Sequence, residues 1–566
     1  MIKIRAIREI WKREFTALFL CIFAFNQPTV AFSLPRTLVP YEDEFPKGRI
    51  EQFQFNESKI YPGTTRTVTV YIPSQIDPSV PACIYVSQDG HSPENTDAMD
   101  LLIARKEMPV TVGIFISRGQ MPYPTAPQDI RNNRPYEYNS LGDGYVRFIL
   151  EEILPLVSRK YNLNLSEDGN DRCIGGGSSG GICAFNAAWE RPDEFSRVYS
   201  SCGSFVAYNG GNIFPVLIRK CEPKPIRVYL HGAKNDLNNA GGNFWLTYKE
   251  MEDALSFSGY DFKPAETSDG HCQSYNTLFP DAMRWLWRDY PKPVREGPGP
   301  ALIKIILSPD EKWVELKDGF IQVEELAANK KREVFFCDVT ANCIYKIDTT
   351  GLVSLFSPDA RHISGLTIAS NGLIYGISKK TGKIFSFDSN GGSCLVAKGV
   401  PGTRIKAICD GSFYTFGKER GIGKIWHISR EGKIRIVDSG LQEPVACAVL
   451  YDKILFVADK CSQWISSYMI GADDSLLYKQ HTIWVDVLPD PADDNGARSI
   501  CADSDGNIFV STQVGIWVGS DQPYENQGVI SSPATGRVSG LCLAGNKIYA
   551  TDGNKIFMRK MKIGKN

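Results

Sequence analysis

The hydrophobic pattern of the first half of the chain alternates between two periods. Short apolar runs, typical of buried strands, occupy residues 82–86, 110–116 and 226–230. Between them, residues 145–161 and the stretch from Gly180 place apolar side chains at helical spacing. Strands that alternate with helices in this way predict a parallel sheet covered by helices, which is an α/β fold.

The pattern changes after residues 291–300, which are rich in proline and glycine. Such a composition ends helices and central strands, so we predict a linker there. Beyond it, a short apolar run ending in an aromatic residue recurs about every forty residues. The aromatic positions are Phe336, Tyr375, Tyr414, Phe456, Phe509 and Tyr549. This repeat predicts a six-bladed β-propeller, and the alternative is a β-sandwich with coincidental spacing.

The N-terminal residues have the pattern of an export signal. Residues 1–14 carry five basic side chains against two acidic ones, and residues 15–25 form an apolar run that small residues follow near Ala31 and Ser33. The run is shorter than the roughly 20 residues that span a bilayer. We therefore predict a signal peptide at residues 1–33, with an uncleaved anchor as the alternative. The expected location is secreted or periplasmic, with no membrane span after signal cleavage.

Composition excludes some classes of function. The chain has 63 Lys and Arg against 64 Asp and Glu, and its net charge is −1. Proteins that bind nucleic acid are normally far more basic, so we expect no nucleic-acid partner. The 15 cysteines form no CxxC pair and no His/Cys cluster in sequence, so we expect no metal site and no cofactor. Disulfides joining Cys202 to Cys221, or Cys337 to Cys343, remain open alternatives.

A glycine-rich turn in the first half has the spacing of a nucleophile elbow. Residues 175–181 read Gly-Gly-Gly-Ser-Ser-Gly-Gly, after a short strand and before an apolar helix. In a GxSxG elbow, flanking glycines permit the tight turn that exposes the serine hydroxyl. Both Ser178 and Ser179 fit the spacing. We prefer Ser178, because the other frame places Gly180, a poor helix former, directly after the nucleophile.

A serine nucleophile needs a base, and the base needs an acid to orient it. In α/β-hydrolases the chain order is serine, acid, histidine. His231 precedes the plausible acids, so the order favours His271 as the base. Asp236, just past a predicted strand end, is our candidate acid, and Asp253 and Asp261 are its rivals.

An ester hydrolase of this type also needs two backbone amides that bind the oxyanion. One donor is expected at Ser179, the residue after the nucleophile. The other is expected in the turn after residues 82–86, at Asp89 or Gly90, and we choose Gly90.

Residues 50–290 resemble the enterochelin-esterase-like branch of the α/β-hydrolases, which includes secreted carbohydrate and feruloyl esterases. The similar segments are 88–90, 134–138, 151–155, 176–181, 188–192, 232–236 and 284–287, together with His271. The resemblance supports Ser178, since the family serine stands two residues before a Gly-Gly pair. It also implies that Arg134 and Glu137 lie near the substrate pocket. The alternative for these two is a surface ion pair.

Residues 310–560 resemble the gluconolactonase-like six-bladed propellers. Members of that family hold a divalent cation with one Glu, two Asn and one Asp. Glu324 fits the first ligand, but no Asn stands near residues 405–407 or 444–446, and Arg498 lies where the Asp belongs. Glu324 is therefore interpreted as a remnant of the cation site, because a cation lacking its other hard oxygen ligands would bind weakly.

The predicted fold class is multidomain, an α/β-hydrolase followed by an all-β six-bladed propeller. The predicted parts are the signal peptide (1–33), the esterase domain (34–290), the linker (291–309) and the propeller (310–566). We expect a secreted serine hydrolase that cleaves small-molecule or polysaccharide carboxylic esters, with the propeller as an accessory domain. The alternatives are a divalent-cation-dependent sugar lactonase in the propeller and a non-catalytic binding protein.

Overall fold

The structure, a computed structural model, describes residues 45–562 apart from residues 309, 409–410, 489–493, 521–526 and 534–536. The predicted signal peptide, residues 1–33, lies outside the described residues. Among the helices of the described part, none combines the length and the hydrophobicity that a bilayer crossing requires.

An eight-stranded sheet forms the centre of the first region. The strands of this region are β1 (Arg49–Phe55), β2 (Arg66–Ile72), β3 (Cys83–Gln88), β4 (Thr111–Ile116), β5 (Gln120–Tyr123), β6 (Ala126–Asn132), β7 (Arg172–Gly177), β8 (Arg197–Ser201), β9 (Arg227–Ala233), β10 (Asn238–Asn239), β11 (Gly242–Asn243) and β12 (Asp261–Thr267). The sheet order is β1-β2-β4-β3-β7-β8-β9-β12. The first two pairings are antiparallel and all the others are parallel.

Helices cover both faces of this sheet. They are α1 (Pro93–Ala104), α2 (Arg134–Asn139), α3 (Gly144–Arg147), α4 (Leu154–Tyr161), α5 (Ser179–Glu190), α6 (Phe214–Lys220), α7 (Phe244–Ser258) and α8 (Tyr275–Leu286). A π-helical segment, Phe148–Ile153, joins α3 to α4. Helices α1 and α8 bury Met99 and Met283 against one face, and α5 and α7 bury Phe185 and Met251 on the other. The mostly parallel, two-sided sheet confirms the predicted α/β-hydrolase-type fold.

The parallel strands place the predicted site at one edge of the sheet. Strands β3, β7, β9 and β12 run in the same direction, so their carboxyl ends meet there. The segments that follow these strands carry Gln88–Gly90, Ser178, Asp236 and His271. Ligands of open α/β sheets bind outside the carboxyl ends of the strands, which makes this edge the place to look for chemistry.

The second region consists of six four-stranded antiparallel sheets, which confirms the predicted propeller. A short helix, α9 (Ala301–Ile306), precedes them. The strands are β13 (Val314–Lys317), β14 (Val323–Ala328), β15 (Val334–Asp338), β16 (Cys343–Ile347), β17 (Val353–Ser357), β18 (Gly365–Ile368), β19 (Ile374–Ser378), β20 (Lys383–Phe387), β21 (Ser393–Lys398), β22 (Arg404–Ala407), β23 (Phe413–Glu419), β24 (Ile422–Ile428), β25 (Ile434–Leu441), β26 (Pro444–Leu450), β27 (Ile454–Asp459), β28 (Trp464–Ile470), β29 (Leu476–Trp484), β30 (Ile500–Ala502), β31 (Asn507–Thr512), β32 (Gly515–Ser520), β33 (Gln527–Ile530), β34 (Gly540–Ala544), β35 (Lys547–Thr551) and β36 (Ile556–Lys560). The six repeated aromatic residues all lie in the second strand of their blade, where they pack between neighbouring sheets.

The ring closes by an exchange of strands between its two ends. Strand β13, from the beginning of the propeller, pairs with β36 and completes the last sheet. This pairing covers an edge that would otherwise expose unpaired backbone groups, and it ties the end of the chain to the beginning of the region.

The two regions pack against each other. Glu222, just after α6, accepts hydrogen bonds from both terminal nitrogens of Arg559 at 2.7 and 2.9 Å, and its amide donates to the carbonyl of Val529 at 2.7 Å. The predicted linker, residues 291–309, contains helix α9, which buries Ile303 and Ile306. The connection is therefore packed against the propeller along α9 rather than fully extended.

Candidate active site

Ser178 adopts a strained backbone conformation at the carboxyl end of β7. Its φ and ψ are 58° and −122°, a region that residues with a side chain rarely occupy. Two hydrogen bonds hold this turn: the Ser178 amide donates to the carbonyl of Ser201 at 2.9 Å, and the Ser204 amide donates to the carbonyl of Ser178 at 3.0 Å. Helix α5 begins at the next residue. This is the geometry of a nucleophile elbow.

The glycine before the elbow is required by close packing. A side chain at Gly176 would place its Cβ 2.5 Å from the carbonyl oxygen of Gly180. No larger residue fits there without moving the backbone of the turn. The Gly176-x-Ser178-x-Gly180 frame therefore has a physical reason in the fold, and Ser179 lies inside the helix as its first residue.

His271 and Asp236 are brought together from separate loops. Asp236 follows β9 and His271 follows β12, and His271 Nδ1 lies 2.5 Å from Asp236 Oδ1. The Asp236 side chain is only 2% exposed. Burial raises the pKa of this carboxyl, but the hydrogen bonds from His271 and from the Leu237 amide outweigh burial and lower it. The carboxylate is therefore ionised at neutral pH and orients the imidazole.

Ser178 and His271 line the same cavity, which has a volume of about 500 Å³. Its other lining residues are Gln88, Asp89, Arg134, Gly177, Cys272, Gln273, Tyr275 and Asn276. The cavity lies at the sheet edge where the predicted residues converge. It is large enough for the ester group of a small ligand and its immediate substituents.

The rival residues lie elsewhere. His231 is fully buried, with its ring nitrogens 2.7 Å from Ser201 Oγ and 3.0 Å from Thr267 Oγ1. Asp253 pairs with Arg219 on an exposed face of α7, and Asp261 pairs with Arg227 and Arg288. These groups already have partners away from the cavity.

The predicted oxyanion donors have different outcomes. The Ser179 amide is the first of helix α5, so it has no acceptor within the helix. The Gly90 amide donates to the carbonyl of Ile116 at 3.1 Å, and the Asp89 amide donates to Tyr138 Oη at 3.3 Å. The Gly90 amide is therefore already engaged by Ile116, and its role as an oxyanion donor stays a prediction.

Gln88, which the sequence pattern did not single out, lines the cavity and has a buried, unpaired side-chain amide next to Gly176. It is the last residue of β3 and is 3% exposed. Neither its amide nitrogen nor its amide oxygen has a hydrogen-bond partner among the described residues. Buried amides are normally paired, so an unpaired amide beside the cavity makes Gln88 a candidate for binding a ligand. Its position at a strand end, directly before Asp89-Gly90, was the only available signal.

Arg134 and Glu137 lie in different surroundings, one at the cavity and the other in the protein interior. Arg134 lines the cavity and binds both carboxylate oxygens of Asp89, at 2.6 and 2.8 Å. Glu137 is completely buried and makes two 2.8 Å hydrogen bonds to Arg66. The expectation that Glu137 lies near the substrate was therefore wrong, as was its pairing with Arg134 at the surface. It belongs to a buried ion pair that joins α2 to β2.

In the propeller, Glu324 is held by a cation of the protein itself. Arg404 lies 2.6 Å from Glu324 and 3.3 Å from Glu325, and Arg498 pairs with Asp494 at 2.5 Å. Burial raises the pKa of Glu325 although Arg404 opposes the shift. A guanidinium between the two carboxylates opposes a divalent cation, so these residues do not fit the metal site of gluconolactonase-like propellers.

The fold and the cavity at the sheet edge define the first region as an α/β-hydrolase-type domain. Residues 60–278 match the model of the Esterase family, described as "Putative esterase". No curated protein matches the chain by sequence.

Solved structures resemble each half separately. A ferulic acid esterase is 17% identical, covers 43% of this chain and 99% of its own, and has a TM-score of 0.34. An enterobactin esterase from Shigella flexneri is 15% identical, with 43% and 61% covered and a TM-score of 0.32. A gluconolactonase from Xanthomonas campestris is 17% identical, with 46% and 93% covered and a TM-score of 0.40.

Proposed function

We propose that this protein is a serine hydrolase that cleaves carboxylic esters through an acyl-enzyme. The observation that carries the proposal is the strained Ser178 turn, in a cavity shared with His271, whose other face is held by the ionised Asp236. A strained backbone at a cavity is a feature that folds retain for chemistry. The esterase-family match over residues 60–278 supports the same class of reaction.

In the proposed reaction, His271 Nε2 takes the proton of Ser178 Oγ as the oxygen attacks the ester carbonyl carbon. The tetrahedral intermediate then collapses, its bond to the alcohol oxygen breaks, and His271 returns the proton to the leaving alcohol. A water molecule, deprotonated by His271, releases the acid and restores Ser178. Asp236 keeps Nδ1 protonated and stabilises the imidazolium that forms in each step.

The oxyanion requires two donors, and we assign them to the Ser179 amide and the side-chain amide of Gln88. The Ser179 amide lies at the start of α5, where the helix dipole favours negative charge. Gln88 lines the cavity with an unpaired amide, so its N–H group has no competing acceptor among the described residues. The amide of Gln88 replaces that of Gly90, which is already bound to Ile116.

The proposed substrates are esters of small molecules or polysaccharides. The propeller is proposed as an accessory domain, and export through the signal at residues 1–33 is proposed as the route to the substrate. The Arg404 contacts of Glu324 and Glu325 argue against a metal-dependent lactonase in the propeller.

A fluorophosphonate probe tests the proposal, because it labels only an activated serine. We expect one labelled site per full-length chain, on the tryptic peptide that contains Ser178, and a parallel loss of aryl-acetate hydrolysis. The Ser178→Ala variant should lose the label and at least about 10⁴-fold of the turnover. Ser179→Ala keeps the backbone amide and should retain the label. Label on Ser179 would move the assignment, and an unlabelled, inactive wild type would favour a binding protein.

A further inference from the structure

Two cysteines from distant parts of the chain meet beside the His271–Asp236 pair. Cys202 follows β8, and Cys272 is the residue after His271. The amide of Cys272 donates to the Cys202 sulfur at 3.4 Å, and the Cys272 thiol donates to the carbonyl of Ser201 at 3.6 Å. Both sulfurs and a ring nitrogen of His271 lie within 4.8 Å of one another. Sequence spacing showed no His/Cys cluster, yet the fold assembles one.

We propose that Cys202 and Cys272 form a disulfide. It would join the loop after β12, which carries His271, to the loop after β8, which contacts the Ser178 turn. The two sulfurs lie within 4.8 Å of each other, and the Cys272 amide already contacts the Cys202 sulfur. A bond of about 2.05 Å between the sulfurs then needs only local movement of two side chains.

The backbone at both cysteines supports a covalent link. Cys202 has a φ of 44° and Cys272 a φ of 54°, in the left-handed region that favours glycine. Such conformations persist only where the surroundings hold them, so the loops around both cysteines fix their backbones near each other.

The other pairings left open by the sequence are not supported. The Cys337 thiol donates to the carbonyl of Ile363 and the Cys343 thiol to the carbonyls of Ala341 and Pro358, and the described hydrogen bonds do not join these two cysteines as they join Cys272 to Cys202. Cys221 lies at the contact with the propeller, bridged to Val529, while Cys202 contacts Cys272.

The chemistry requires an external disulfide, such as oxidised glutathione or a thiol–disulfide oxidoreductase. Cys272 lines the cavity and is partly exposed, whereas Cys202 is 2% exposed. The Cys272 thiolate attacks the external disulfide and releases one thiol. Cys202 then attacks the Cys272 sulfur of the mixed disulfide and releases the second thiol. Two protein thiols are oxidised and one external disulfide is reduced to two thiols.

The crosslink would fix the catalytic geometry. The carbonyl of Ser201, directly before Cys202, accepts the hydrogen bond from the Ser178 amide, and Cys272 directly follows His271. A bond between the two cysteines therefore ties the loop of the base to the loop that holds the nucleophile. It also closes a loop of about 70 residues, which restricts the unfolded chain.

Peptide mass spectrometry of the full chain tests the inference independently of the esterase activity. After equilibration with oxidised glutathione and alkylation under denaturing conditions, we expect a Cys202–Cys272 linked peptide pair that dithiothreitol removes. The pair should be absent from Cys202→Ser and Cys272→Ser and present in the control Cys337→Ser. Reduction should lower the Tm of the esterase domain by about 5–10 °C in the wild type. It should have no such effect in the double serine variant.

Three results would overturn the proposal. The first is alkylation of both cysteines after the oxidising treatment. The second is a linked peptide that joins Cys202 to another cysteine. The third is one zinc ion per chain in the purified protein, lost in Cys272→Ser, which would make the cluster a metal site.

Discussion

The molecule contains two polar centres, one in each region, that differ in how their side chains are paired. At the sheet edge of the first region, Ser178 lines a cavity and the Gln88 amide has no partner among the described residues. In the propeller, Glu324 and Glu325 both contact Arg404. The first centre therefore keeps a serine and an unpaired amide beside paired groups such as Asp89 and Arg134, whereas Arg404 neutralises the carboxylates of the second. The comparison teaches that pairing, rather than residue type, separates a site prepared for a ligand from the remnant of one.

The largest change in ester turnover is expected for substitution of Asp236, the proposed orienting acid of the first centre. Asp236→Asn should reduce aryl-ester turnover by about 10³–10⁴-fold, because an asparagine cannot hold His271 in the tautomer that accepts the serine proton. Steady-state kinetics of the full chain measures this loss. The matched control is Asp253→Asn, an exposed rival on α7, which should stay within about twofold of the wild type. Equal activity of the two variants would remove Asp236 from the mechanism.

A smaller effect is expected for the unpaired amide. Gln88→Ala should lower kcat by about 10²–10³-fold with little change in KM, since an oxyanion donor acts mainly in the transition state. Gln54→Ala on β1, whose side chain bonds Thr67 on the neighbouring strand, is the control and should be nearly silent. If Gln88→Ala changed KM alone, Gln88 would bind the substrate rather than the oxyanion.

In the propeller, we expect the substitution of Arg404 to lower the stability of the protein without changing ester hydrolysis. Arg404→Met leaves Glu324 and Glu325 without their counter-charge, and we expect a loss of about 1–3 kcal/mol in the free energy of unfolding. Ester hydrolysis should remain within about twofold. Thermal unfolding and an activity assay measure both effects, and Arg361→Met, in an exposed pair with Asp359, is the control. A calcium-dependent rise in the wild-type Tm would contradict a neutralised centre.

The smallest effect concerns the acid stability of the propeller. Burial raises the pKa of Asp494, but hydrogen bonds and ion pairs with Arg498 and Arg537 lower it to about 2. Because the folded pKa is depressed, the stabilisation is present above the unfolded pKa of about 3.9 and is lost as the pH falls through 2.

Asp494→Asn should therefore cost about 2 kcal/mol at pH 7 and about half of that at pH 3. Denaturant unfolding at the two pH values gives the difference between wild type and variant. The exposed Asp505→Asn is the control variant. A penalty for Asp494→Asn that stayed constant with pH would show that lost packing, not charge, is responsible.

Local patterns predicted the architecture and part of the site. The alternation of strands and helices and the repeat of about forty residues led to both folds, since each depends on periodicities within short stretches. The Ser178 turn was also predictable, because the elbow is a local sequence motif. Asp236 and His271 could be selected because each follows a predicted strand and because they come after Ser178 in the order serine, acid, histidine.

Residues whose role depends on a distant partner were not predictable. Glu137 is buried because Arg66, on a strand far earlier in the chain, meets it. The Gly90 amide donates to the carbonyl of Ile116 on the neighbouring strand, a pairing that the sequence does not show. The unpaired amide of Gln88 and the contact between Cys202 and Cys272 likewise depend on residues that only the folded chain brings together.

By itself, the sequence determined the two fold classes, the glycine-flanked serine and the order in which Asp236 and His271 follow it along the chain. These follow from hydrogen-bonding periodicity and backbone sterics, which act between near neighbours along the chain. Only the tertiary structure decided which polar groups are already paired and which remain available at the cavity. Pairing depends on contacts between residues tens of positions apart, and burial makes every unpaired polar group costly enough to be informative.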